Sequence, residues 1–341
     1  DDLTAVALVV KDAFNATAHT TVALAIEAVK DGEIVRLLDN ATEDVTVGKS
    51  ITLDLNGKKL TNTGSSKATV SIAEGATVTV KNGSIVGGAA YYNIEVKKGG
   101  TATFESITAT AGNTGSSMID NWGTLTIDSG SYTGGLNVVK SEEDSVLKIT
   151  GGTFTLTDTK GSAYTAVILT YGDTTISGGE FIQSVKEPKK WAHPIVVMTG
   201  LVDGHPAVTK VTGGTFKNNA TESIFRGLGK ATSANFEVSG GTFNKSIKDG
   251  YCAEGFIPTK NADGTYGVKK GTYVAAVVKS SGTVTGKYET LADALAKAST
   301  GTTVKLLAEA KENVTIAKDI TFDLNGKTLN GGTEKGKPAL T

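Results

Sequence analysis

Two short stretches hold most of the side chains that could do chemistry while standing close together in the chain. "EPKKWAHP" (187–194) carries Lys190, Trp191 and His193, and "LVDGHP" (201–206) carries His205. An indole face stacks on the apolar face of a sugar or on a peptide, and a neighbouring imidazole and ammonium can hold hydroxyl or carbonyl groups in place. These four residues are therefore the candidate ligand-binding set. Two histidines without a third ligand at a recognisable spacing do not make a metal site, and no cofactor is called for. The alternative is that Trp191 folds back as an apolar patch while the prolines stiffen a tolerated insertion. Trp122, in "DNWGTL", is expected on a turn as a surface aromatic, and Cys252 as a small buried residue.

Catalysis finds less support. Lyase chemistry would need a nest of carboxylates for calcium and an arginine or lysine base, and the only arginines are Arg36 and Arg226. Hydrolysis of acidic glycans would need clustered carboxylates as acid and base, and no paired aspartates or Gly-His-Gly segment are present. The expectation is a protein without catalytic residues, the alternative being an enzyme acting on acidic polysaccharides. The 34 basic and 35 acidic residues leave a net charge of −1, which offers nothing to nucleic acid or an anionic membrane surface. No apolar run reaches the roughly 20 residues that span a bilayer, and one cysteine excludes an intrachain disulfide framework.

The elements that must carry these residues are short strands, because 42 glycines, few aromatics and abundant Thr, Val and Ile favour strands and tight turns. "ITGGTF" from Ile149 returns as "ISGGEF" from Ile176, "VTGGTF" from Val211 and "VSGGTF" from Val238. The apolar residues before the turns form a column, Leu55, Val80, Phe104, Ile127, Ile149, Ile176, Val211 and Val238. A second column stands two residues earlier, with polar residues between the two, as in a strand with one side buried. Asp54, Thr79, Thr103, Thr126, Lys148, Thr175, Lys210 and Glu237 face outward, a threonine ladder too interrupted for ice or mineral binding. A further apolar strand starts each repeat, such as "VSI" at Val70 and "IEV" at Ile94. One such repeat cannot bury its own apolar face, whereas stacked repeats close a common core. The pattern predicts an all-β, right-handed parallel β-helix of about eight rungs. Its glycines at 83, 130, 152, 179, 214 and 241 should sit at positive φ, and Phe154, Phe181, Phe216 and Phe243 should stack inside with centroids near 5 Å.

A longer period lies over the short one. "VTVGKSITLDLNGKKL" from Val45 recurs as "VTIAKDITFDLNGKTL" from Val314, and each copy follows an amphipathic helix, one around Val22, Ala25 and Ile26, the other around Leu291, Ala294 and Leu295. Residues 1–268 are thus expected to form one unit, with a short helix capping its first rung, and residues 269–341 the truncated start of a second.

The order of helix, "ITLDLNGKKL", rungs of the "ITGGTF" type and closing "YCAEGF" resembles the repetitive, pectate-lyase-like parallel β-helix proteins described as adhesin-like on the surfaces of gut bacteria. The resemblance implies an extracellular stalk or adhesive rod at the cell surface. Its implied partners are glycans, host or bacterial surface proteins, and adjacent repeat units of its own chain.

Overall fold

The structure, a computed structural model, describes residues 4–89, 91–112, 115–158, 164–190, 192–334 and 336–341. Its contacts divide the chain into two units, residues 1–253 with 258–268, and residues 254–257 with 269–341.

The first unit is a parallel β-solenoid of about eight turns, each turn contributing a strand to three faces in succession. On the first face Val35, Leu53, Val80, Phe104, Ile127, Ile149, Ile176, Val211 and Val238 stand in register, all pointing inward. On the second face the inward column is Ala41, Leu60, Ile85, Ala109, Tyr132, Phe154, Phe181, Phe216 and Phe243. The third face is an eight-stranded sheet whose inward column runs Val45, Val70, Ile94, Ile119, Val139, Ile168, Val197 and Phe225. The three columns belong to one apolar core. Two pairs of inward threonines satisfy one another: Thr174 donates to Thr170 at 2.8 Å, and Thr199 and Thr209 share a hydrogen bond at 2.6 Å.

The aromatic stack is present and longer than the sequence suggested. Tyr132 joins it, and successive centroids from Tyr132 through Phe154, Phe181, Phe216 to Phe243 are 4.8, 5.0, 4.8 and 5.3 Å apart. The twin glycines at each corner divide two tasks. A Cβ on Gly178 or Gly213 would come within 2.1 or 2.2 Å of the carbonyl oxygen of the rung below. Gly179 and Gly214 adopt φ of +100° and +96°, which L side chains rarely reach, and accept the next rung's amide hydrogen bonds from Thr215 and Thr242.

Two details differ from the sequence reading. Leu53, not Leu55, stands under Val80, because the turn through Asn56 and Gly57, both at positive φ, is two residues longer than the later corners. Gly83 is not at positive φ; Asn82 takes that conformation, and Ser106 does so one rung on, while Gly83 is needed for space, its Cβ position lying 2.4 Å from the Leu55 Cβ.

Helix α1 (Val22–Ala28) buries Val22, Ala25 and Ile26 in the first unit's core. Seven residues are too few for a helix to persist alone, so its ends are held by side chains from the first turn of the solenoid. The Glu43 carboxylate accepts from the Val22 and Ala23 amides at 2.8 and 2.9 Å, and the Lys49 ammonium donates to the carbonyls of Glu27 and Val29. In the second unit α2 (Leu291–Lys297) is held the same way, by Glu312 on the Leu291 and Ala292 amides and by Lys318 on the carbonyls of Leu295, Ala296 and Ala298. Asn56 and Asn325 likewise each bond a leucine carbonyl, of Leu37 and of Leu306. Glu43→Ala is expected to cost about 1–2 kcal/mol by freeing two amide donors at the helix start. Both tryptophans lie in the first unit, so a urea transition followed by indole fluorescence checks this; no shift of the midpoint would mean that the clamp carries no stability.

Candidate functional site

The outer sides of the three faces differ in chemistry. The first and second present rows such as Thr79, Thr103, Thr126, Lys148, Thr175, Lys210 and Glu237, or Ser131, Thr153, Glu180 and Thr215. The third presents an outward column of Thr46, Ser71, Glu95, Asp120 and Lys140, rung upon rung. Parallel strands sit about 4.8 Å apart, so Ser71 to Lys140 covers roughly 14 Å. Two residues further along each strand comes a neighbouring row of Lys97, Trp122, Glu142 and Tyr171, each amide bonded to the rung beneath it. Tyr91 and Tyr92 precede the strand of Glu95, with ring centroids 4.5 Å apart.

This shelf is densely bonded. The Trp122 indole N–H donates to Asp120 Oδ2 at 2.8 Å, Lys140 is ion-paired with Glu142, Ser71 donates to Glu95 at 3.2 Å, and Lys97 stands 3.9 Å from the same carboxylate. The Lys140 ammonium lies 6.0 Å from the Tyr171 ring centroid. Asp120 is 2 % exposed, and its second oxygen, Oδ1, is closed off without a hydrogen-bond donor. Burial, with the buried Glu142 carboxylate beside it, pushes the Asp120 carboxyl up to about 7 against the opposing indole bond. Tyr92 is pushed up to about 12 by burial and by the negative charges of Asp120, Glu142 and Glu95.

The residues singled out from sequence lie elsewhere and do not converge. Trp191 falls outside the described residues. Lys190 is exposed on a turn. His193 opens the strand His193–Gly200 and its Nδ1 bonds Glu222 at 2.8 Å, whereas His205 lies beyond the other end of that strand and bonds Asp144 at 2.6 Å. An eight-residue strand is roughly 23 Å long, so the two imidazoles serve separate carboxylates. The hydrogen bond from His205, reinforced by Lys98, holds the Asp144 carboxyl below its usual range. Among the described residues no group of three His, Cys, Asp or Glu side chains is arranged to hold a metal ion.

Other expectations need correction in part. Trp122 follows a strand as expected of a turn residue, but it is half-buried and its N–H is occupied by Asp120. Cys252 is half-buried rather than buried, and burial pushes its thiol up to about 11, far from the reactive range. The carboxylate pair missing from any sequence motif exists in space: Asp120 and Glu142 come from consecutive turns. The signal was present in the aligned rungs, where Glu95, Asp120 and Lys140 occupy one outward position. No protein-family model, curated protein or solved structure matches the chain.

Proposed function

We propose that this chain is a non-catalytic extracellular module of an adhesin-like, pectate-lyase-like surface protein. In this reading the solenoid winds right-handedly, α1 caps its first rung, and the second unit begins another such solenoid. The module extends from the cell surface and binds glycans or surface proteins. The observation that carries this reading is the concentration of half-buried aromatic rings and fixed charges on one outer face of a solenoid whose interior is occupied by side chains. A shallow outer shelf on a stiff scaffold suits recognition of an extended polymer.

A second reading, a glycan hydrolase, has the raised Asp120 carboxyl in its favour. Against it, the Trp122 indole already occupies one Asp120 oxygen and Lys140 is ion-paired with Glu142, so neither carboxyl is free to act on a glycosidic bond. Displayed on a non-adherent bacterium, the chain should raise attachment to glycan-coated or protein-coated surfaces. The purified chain should release no reducing or unsaturated ends from polygalacturonate or neutral polysaccharides. Turnover that disappears in Asp120→Asn would replace the adhesive reading with the enzymatic one.

A further inference from the structure

We propose that the shelf on the third face, centred on Asp120 and bounded by Tyr92, Trp122 and Tyr171, is a binding site for an uncharged saccharide unit of a polysaccharide. The proposal rests on the glycan-binding form of the function above and names its site and ligand class.

Two independent features point to a ligand. The first is the aromatic content. On the described outer faces, Tyr91, Tyr92, Trp122 and Tyr171 gather around one patch, all half-buried, while the other two faces show threonine, serine, lysine and glutamate in register. Rings left half in water beside polar groups are the usual partners of the apolar face of a pyranose. The second is Asp120 itself, a carboxylate nine-tenths and more buried whose Oδ1 takes no hydrogen bond. Such an acceptor is costly to leave unmet, and a sugar hydroxyl is a donor of suitable size and neutrality.

Charge selects the class of sugar. Glu95, Asp120 and Glu142 supply three carboxyls, and the two ammonium groups among them are engaged, Lys140 with Glu142 and Lys97 with Glu95. A uronate or sulfated sugar would meet carboxylates whose neighbouring ammonium groups, among the described residues, are already engaged. A hydroxyl-rich neutral sugar can donate to Glu95 and Asp120 and accept from Lys140 without disturbing either ion pair. This differs from the acidic glycans that an enzyme of this architecture would be expected to take.

The test is affinity electrophoresis of the whole chain through gels containing galactomannan, xyloglucan, mixed-linkage β-glucan, dextran or polygalacturonate, with dissociation constants from calorimetry for any that retards it. At least one neutral polymer should retard the wild type, and polygalacturonate should not. Tyr171→Ala and the milder Glu95→Gln should each weaken binding about tenfold or more. Lys210→Ala, on the first face, should leave it unchanged, and circular dichroism should show every variant folded. Glu95→Gln tests the site even where Tyr171→Ala fails to fold. Neutral-polymer binding unaffected by a folded Tyr171→Ala or by Glu95→Gln would overturn the site while leaving a glycan-binding module in place. Retardation by polygalacturonate alone would overturn the ligand class. Failure of every neutral polymer would overturn the inference and leave protein adhesion as the role of the module.

Discussion

Phe181→Ala is expected to destabilise the first unit by about 3–5 kcal/mol. Phe181 is fully buried, and its ring lies between Phe154 and Phe216 at 5.0 and 4.8 Å, nearly parallel to both. Truncation removes two stacking contacts and leaves a void that the rungs cannot close, because each strand is held to its neighbours by Phe154↔Phe181↔Phe216 register on both sides. Phe181→Leu should recover part of the loss by refilling volume without restoring the stack. Urea denaturation followed by tryptophan fluorescence measures both. A loss under about 1 kcal/mol for the alanine variant would mean that the column does not carry the core.

Asp120→Asn should change the pH dependence of stability more than stability at any one pH. The Asp120 carboxyl sits at about 7 in the folded chain against about 3.8 when unfolded, so the folded state holds an extra proton between those values. Stability contributed by this group is fully present below about pH 4, declines as pH rises, and is gone above about 7. A shift of this size corresponds to roughly 4 kcal/mol across the window. Other groups facing the same shelf, Glu95, Glu142, Lys140, Lys97, Tyr91 and Tyr92, remain in the variant. Asparagine keeps an acceptor for the Trp122 indole but cannot ionise, and it relieves the repulsion from Glu142. Relative to wild type, the variant should gain stability steadily from about pH 4 to about pH 7 and level off above it. Parallel melting curves against pH would refute the raised Asp120 carboxyl.

Much of the fold can be read from residue order alone. A strand exposes alternate residues to opposite sides, so a buried side must announce itself as a period of two, and a solenoid must repeat that period once per turn. Val80, Phe104, Ile127 and their successors satisfy both conditions, and the Phe154 to Phe243 stack follows because equal rungs superpose equal positions. The first rung was harder. Its corner through Asn56 and Gly57 is two residues longer, and counting back from the turn placed Leu55 where the hydrogen-bonded ladder puts Leu53. Turn length is set by backbone conformation, and asparagine can enter the left-handed region nearly as well as glycine, so Asn82 and Gly83 could exchange roles without any change in the apolar pattern.

The shelf shows the same division more sharply. Lys190, Trp191, His193 and His205 attract attention because they are close along the chain, yet His193 and His205 end on separate carboxylates. Asp120 and Glu142 stand 22 positions apart, and nothing in either local stretch marks them. The sequence by itself determined the strands, the inward columns, the stacked phenylalanines and the internal duplication, because each follows from local periodicity. Only the tertiary structure decided which outward residues meet, since that depends on the length of each turn and on burial. Those two together brought Glu142 beside Asp120, left Oδ1 without a donor, and raised a carboxyl to about 7.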